Sequence, residues 1–347
     1  MNLETELKEY KSKTKTEDKI KKFIFTESNL DTEIIQETLQ KDLTDYQEYT
    51  KNINKINKSV IEDLLKLLQK TVSSIFPNIE VKLYGSRATN LCLIWSDLDI
   101  VLMNEKEELE QFEVLDNLNE KLNGEKWVKT IKYIKTAKIP IIKLITNEEY
   151  NNMQIDISLY NKEHFGLECV KLVKSFLGKF ECLEPLVLAL KTMLKCSQLN
   201  DPYLGGISSY GIILMTVNFL QNQLNLGKKI NKENLGTLLY DLLFFYGRRL
   251  DTNYINLNKE NNNNNTLNNN SPFELYIVDP LNSNNNVGKS SFQYMNIKMM
   301  FLIALQSLKE DCCCECHYTK ENIIHYKQNI LRKMFNAVTR LNPNPSF

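Results

Sequence analysis

The residue types most able to do chemistry stand in one stretch, LYGSRATNLCLIWSDLDIVL, residues 83–102. Asp97 and Asp99 are two apart among Leu98, Ile100 and Val101, a pattern that predicts a strand. Period-two alternation sends both carboxylates to one face, roughly 7 Å apart along the chain. Two anions held so close repel unless a cation sits between or beside them. Mg²⁺ (or Mn²⁺) suits the pair, since it takes one or two carboxylates and completes its shell with water and phosphate oxygens. Gly85 and Ser86 follow a predicted strand and open a short helical stretch. Glycine lets the backbone approach a phosphate, whose oxygens the exposed N–H groups and the Ser86 hydroxyl can hold. Asp156 lies mid-strand in MQIDISLY, among apolar residues. A lone carboxylate there costs several kcal/mol, and sharing the cations of Asp97 and Asp99 accounts for its position. A bare D-x-D reads most simply as a turn or an exposed strand end. The Gly-Ser turn, the apolar strand and the later Asp together outweigh that reading.

These residues need a sheet to present them. The spacing predicts strands over 81–85, 97–103, 127–134, 140–145 and 153–160, with a helix over 105–123 between the second and third. Helical sequence flanks this block on both sides. Two helical stretches are predicted over 32–76, and the second places Ile61, Leu64, Leu65, Leu68 and Val72 on one face before Pro77 stops it. Further helices are predicted over 166–177, 183–198, 208–221, 235–248, 292–308 and 320–341. Eleven Asn fall within 251–270, a polar low-complexity tract that reads as a loop. The expected organisation is a flexible segment 1–31, helices 32–76 completing a helical central domain, an α/β catalytic block 77–160, and the rest of the helical domain over 161–342.

Composition bounds the function. The chain has 347 residues, with 43 Lys and Arg against 43 Asp and Glu, a formal charge of +0. Hydrophobic residues make 42% and charged residues 25%, which excludes a wholly disordered chain, a collagen and a disulfide miniprotein. The balance also excludes a strongly basic nucleic-acid binder; positive charge must be concentrated locally or supplied by a partner. No run of about 18 apolar residues is present, so no membrane span is expected. MNLETELKEYKSKTKTEDK lacks the apolar core of a signal peptide. The expectation is therefore a reducing compartment, with the eight Cys as thiols and Cys92, Cys169, Cys182 and Cys196 as small core residues.

The Gly-Ser turn, S-D-L-D-I-V and the downstream strand Asp together resemble the nucleotidyltransferase superfamily related to DNA polymerase beta. TAKIPIIKLI (136–145) and LEPLVLALKTMLKCSQLNDPYLGGISSYGIILM (183–215) resemble segments of non-canonical poly(A) polymerases and terminal uridylyltransferases. NLGTLLYDLLFFYGRRLD (234–251) and VDPLNSNNNVGKSSFQYMNIK (278–298) resemble the poly(A) polymerase of the TRAMP-complex type in particular. The resemblance implies an α/β (α+β) palm with a mixed sheet, a helical central domain, and an active site in the cleft between them. It implies template-independent addition of adenylates from ATP to RNA 3′ ends, in nuclear RNA processing or surveillance. Three carboxylates, Asp97, Asp99 and Asp156, would hold two Mg²⁺ (or Mn²⁺) ions for phosphoryl-group transfer.

By the same resemblance, Gly85 and Ser86 form the phosphate-binding turn, and Lys191 and Lys195 contact the triphosphate. The i, i+4 spacing of the two lysines puts both ammonium groups on one helix face. Ser209 would bind phosphate and Tyr210 would stack on the base. Asn285, Gly288 and Lys289 occupy the polar positions of a nucleotide-recognition loop over 279–291. Lys289 replaces the usual Arg, which removes a bidentate fork. Related uridylyltransferases place a His in this loop, whereas His164, His317 and His325 all lie outside it; this favours ATP. Two other departures stand out: Ile94-Trp95 replaces a common Pro, and Gly166 stands where uridylyltransferases carry a ribose-contacting Asn. The implied partners are an RNA 3′ end, a zinc-knuckle RNA-binding subunit and an RNA helicase, with no membrane. The alternative readings are a terminal uridylyltransferase using UTP and an inactive RNA- or nucleotide-binding scaffold.

Two further signals carry less. Cys312, Cys313, Cys314, Cys316 and His317 are zinc-type ligands, but three adjacent Cys do not converge easily on one ion, and a thiol cluster is the simpler reading. Lys126, Lys129, Lys132, Lys135 and Lys138 repeat every three residues, and suit either an RNA path or a solvated sheet edge.

Overall fold

The computed structural model describes residues 32–104, 110–137, 139–161, 164–249, 252–258, 273–308 and 330–341. Two compact units make up the chain: Gln47–Lys179, and Met1–Tyr46 together with Phe180–Phe347.

In the first unit the period-two segments form strands β1 (Glu80–Leu83), β2 (Leu98–Met103), β3 (Val128–Ile134), β4 (Ile141–Thr146) and β5 (Gln154–Leu159). They join in one mixed sheet of order β1-β2-β5-β4-β3. Only β2 and β5 are parallel; β1, β4 and β3 each run antiparallel to their neighbours. One face of the sheet is apolar. Leu98, Ile100 and Leu102 of β2, Ile142 and Leu144 of β4, and Ile155, Ile157 and Leu159 of β5 pack in a single cluster. Helix α1 (Thr32–Ser73) contributes Leu64, Leu68 and Val72 to it. A later helix (Gln111–Asn123) contributes Val114, Leu115, Leu118 and Leu122. Each fully buried Leu or Ile is worth about 1.5–3 kcal/mol of transfer free energy, so this cluster fixes which face of β2 and β5 remains for polar residues. Helix Gly166–Lys179 closes the unit.

The helical unit contains helices Leu183–Cys196, Ser209–Asn225, Leu235–Arg248, Tyr294–Ser307 and Ile330–Val338. The N-terminal part of α1 packs here: Ile35, Leu39 and Leu43 are buried, Gln36 accepts from Thr237 Oγ1, and Gln40 accepts from the Gly236 amide. Asp42 accepts from the Leu331 amide at 3.0 Å, at the start of the last described helix. A small sheet of order β6-β7-β8 joins Tyr254–Ile255, Tyr276–Asp279 and Asn282–Asn286.

Three expectations change. The two helical stretches over 32–76 are one helix, because no breaker interrupts it before Ser73. Its C-terminal half belongs with the sheet rather than the helical domain, since Leu64, Leu68 and Val72 face the sheet core. The segment 279–291 is not only loop: its first part is a β-hairpin, a form that an Asn-rich strand conceals, because Asn is depleted in strands. Residues 1–31, most of the Asn tract, Lys138, and the cluster from Cys312 to His317 lie outside the described residues, as does His325. Among the described residues no helix is long and apolar enough to cross a membrane.

Candidate active site

Strand pairing assembles the acidic site. Asp99 on β2 is the register partner of Asp156 on β5, so the two carboxylates stand abreast on the face opposite the apolar cluster. Like charges directly opposite in a sheet repel. Lys143, the register partner of Asp156 on β4, answers this with an ion pair from its Nζ to Asp156 Oδ2. Asp97 lies one residue before β2 rather than inside it. The pleat therefore does not set its side-chain direction, and the alternation argument does not extend to it. Among the described residues no group of three or more His, Cys, Asp or Glu could hold a metal ion by itself. The structure thus joins Asp99 to Asp156 but does not complete a three-carboxylate cage. The donor set still fits a hard ion such as Mg²⁺, which needs one or two carboxylates and takes its remaining oxygens from water and phosphates.

The Gly-Ser turn touches this pair. The Tyr84 amide donates to Asp99 O at 3.0 Å, and the chain then turns through Gly85 at φ +66° into the one-turn helix Gly85–Ala88. A Cβ on Gly85 would lie 2.0 Å from Asp99 Oδ2. Glycine is required here twice over, by its positive φ and by the approach of the carboxylate. Ser86 is half-buried beside it. The one-turn helix Gly85–Ala88 is the short helical stretch expected after the Gly-Ser turn.

Beneath the pair sits a small polar group. Tyr84 hydrogen-bonds to the Ser158 side chain, and its phenol is pushed up to about 12 by burial, with Asp99 and Asp156 adding to the shift. His164 Nε2 lies 3.0 Å from Ser158 Oγ, and its Nδ1 accepts from the Gly166 amide. A Cβ on Gly166 would come within 2.6 Å of His164 and 2.7 Å of Tyr84. Gly166, noted in the sequence only as a departure from the uridylyltransferase pattern, is thus the residue that admits this packing. Arg87 is a buried guanidinium that sequence reasoning missed. It donates to Ser96 O at 2.8 Å and reaches Asn54 on α1, so it ties α1 and the turn to the segment that presents Asp97. The sequence around it, G-S-R-A-T-N, is mostly polar and gives no local sign of that burial.

The helical unit holds the remaining expected residues. Lys191 is buried and Lys195 half-buried, on one helix. Ser208 caps helix Ser209–Asn225 by accepting from the Gly211 amide at 3.0 Å, which leaves Ser209 exposed as its first residue. Tyr210 OH donates to Asp279 Oδ1 at 3.0 Å, while Asn285 Nδ2 donates to Asp279 Oδ2 at 2.9 Å. Asp279 is buried and also accepts from the Leu281 amide. One carboxylate therefore fixes both the aromatic ring and the amide. Asp279 opened the expected loop but was not singled out, because its two partners come from separate elements. Gly288 is buried against Leu275, and Lys289 is exposed. Of the five periodic lysines, Lys135 pairs with Asp116 and Lys129 with Asn152, which accounts for these two as surface contacts.

Residues 35–177 match the family described as poly(A) RNA polymerase, mitochondrial-like, central palm domain. Poly(A) RNA polymerase cid14 of Schizosaccharomyces pombe is 30% identical over 256 residues, 70% of this chain and 36% of that protein. An inactive non-canonical poly(A) RNA polymerase, Trf4-2 of Drosophila melanogaster, is 27% identical over 71% of this chain and 62% of its own length. The polymerase core of TRAMP, an RNA surveillance complex, superposes with a TM-score of 0.73 at 24% identity, covering 87% of this chain and 94% of that one. Cid1, described as an RNA terminal uridylyl transferase, gives 0.63 at 20% identity, over 82% and 97%. At these identities the superpositions speak for the fold, a mixed-sheet palm with helices. The chain spans 36–46% of the length of the first two curated relatives it matches.

Proposed function

With a palm of the poly(A) RNA polymerase family over residues 35–177 and likeness to the TRAMP polymerase core, the chain is a relative of the TRAMP-type poly(A) polymerases, and we propose that it adds adenylates from ATP to RNA 3′ ends without a template. The observation that carries the chemistry is the register pairing of Asp99 with Asp156 beside the Gly85 turn.

In this reading the RNA 3′ oxygen attacks the α-phosphorus of ATP, the bond to the β-phosphate oxygen breaks, and pyrophosphate leaves. Bound Mg²⁺ or Mn²⁺ supplies acidification of the 3′ hydroxyl and neutralisation of the triphosphate. Asp99 and Asp156 would hold the ions, with Asp97 as the third ligand that the resemblance implies. In the palm, Gly85 and Ser86 would bind phosphate oxygens; in the helical unit, the resemblance assigns that role to Ser209, Lys191 and Lys195. Tyr210 stacks on the base with its hydroxyl anchored to Asp279, and Asn285 offers the base a polar edge from the same anchor. Gly288 lets the loop pack closely, and Lys289 adds a positive charge. The partners in this reading are a zinc-knuckle RNA-binding subunit and a helicase, and the setting is nuclear.

Two alternatives have an observation each. Likeness to Cid1 supports a uridylyltransferase, although a Cid1 variant with a histidine changed to asparagine is described bound to MgATP, and this chain has Asn285 and no His in its own loop. Likeness to Trf4-2 supports an inactive relative. One assay separates all three: an RNA primer, Mg²⁺ and each NTP in turn, with the chain alone and with an RNA-binding partner. Extension with ATP, reduced about a thousandfold or more in Asp97→Ala/Asp99→Ala, is expected. Preference for UTP selects the second reading. Nucleotide binding without pyrophosphate release selects the third.

A further inference from the structure

Across four strands of the palm the register lines up Asp99, Asp156, Lys143 and Lys132, one from each of β2, β5, β4 and β3. Two carboxylates are followed by two ammonium groups on one face. Lys143 points away from the apolar cluster, since its neighbours Ile142 and Leu144 are the buried ones on β4. Its side chain is 44% exposed, whereas that of Asp156 is only 14% exposed. Asp156 is therefore largely buried, while the Lys143 side chain reaches water. We propose that Lys143 is a built-in counter-ion that competes with the divalent cation for Asp156 Oδ2. The proposal rests on the metal-dependent reading above and goes beyond it.

Asp99 and Asp156 repel, and the Lys143 ammonium offsets part of that repulsion. A divalent ion held by Asp99 and Asp156 would offset it more fully, and would repel the ammonium that sits on Asp156 Oδ2. Lys143 would have to leave Asp156 when the site is loaded, and the lost ion pair would lower metal affinity. The palm keeps its acidic face tolerable without metal, and the site resists loading by a divalent ion alone.

The test uses the full chain and Mn²⁺ alone, without nucleotide, with free Mn²⁺ read from its electron paramagnetic resonance signal. Lys143→Met and Lys143→Gln should bind Mn²⁺ about two- to fivefold more tightly than the wild type, the range expected for a partly exposed pair. Lys143→Arg should stay at the wild-type value, and Asp156→Asn should lose the site. Melting in EDTA should be lower for Lys143→Met than for the wild type, with the gap narrowed by saturating Mn²⁺. Unchanged or weaker Mn²⁺ binding in both neutral variants, or full binding in Asp156→Asn, overturns the proposal. No Mn²⁺ binding by the wild type overturns the metal reading itself, which is a different result.

Discussion

His164 shows how one side chain can tie a protonation state to the palm. Its Nδ1 accepts from the Gly166 amide at 3.3 Å, so the ring proton belongs on Nε2, facing Ser158 Oγ. An imidazolium would set a second N–H against the Gly166 donor. Burial lowers its pKa below the ordinary 6.5, with Glu168 the charged neighbour that opposes the shift. Below 6.5 the unfolded chain takes up a proton that the native chain refuses until the pH falls through the depressed value. The contribution is fully present above the unfolded pKa and is lost on acidification. Melting temperatures across about pH 5 to 7.5 should therefore fall more steeply for the wild type than for His164→Gln; parallel profiles would refute the argument. Asp279 acts on neighbouring side chains instead of on a protonation state. A buried carboxylate between Tyr210 and Asn285 turns two separate side chains into one rigid surface.

Among the elements, the helix Leu235–Arg248 is closed by a partner instead of its own sequence. Lys298, fully buried on helix Tyr294–Ser307, donates to Tyr246 O at 2.6 Å and to Arg249 O at 2.5 Å. Carbonyls at a helix C-terminus lack intrahelical donors, and a cation there also suits the helix dipole. Lys298→Met keeps the apolar stem and removes the donor, leaving the buried Tyr246 carbonyl and the part-buried Arg249 carbonyl without it. The expected loss is about 3 kcal/mol of unfolding free energy in urea, and a loss near zero would mean that water replaces the ammonium. Helix α1 teaches the complementary lesson. Its apolar stripe was legible from Ile61 to Val72, but which core it serves was not. Ile35, Leu39 and Leu43 are buried in the helical unit, while Leu64, Leu68 and Val72 are buried under the sheet.

For the molecule as a whole, charge is the governing quantity. Positive and negative groups balance at 43 each. Several lysines are paired locally, including Lys135 with Asp116, Lys228 with Asp241 and Lys229 with Glu233. A surface of this kind neutralises few phosphates. Single-stranded RNA binding by the chain alone should be weak, with a slope of log K against log salt of about −2 or shallower. A basic RNA-binding partner should steepen that slope and raise extension. A slope several times larger for the chain alone would show a concentrated basic path and remove the need for a partner.

Much was legible in local pattern. Period-two runs marked all five strands of the palm sheet, and apolar periodicity marked the helices from Gly166 onward, because each segment buries one face and repeats accordingly. The Gly-Ser turn and the Asp residues stood out because their types are costly in strands unless used. Register was not legible. Nothing local says that Asp156 meets Asp99 on one side and Lys143 on the other, that Gly85 packs on a carboxylate, or that Asp279 joins Tyr210 to Asn285. Most of those pairings join separate strands or helices, and in the palm the burial of the shared apolar face fixes which residues end up abreast.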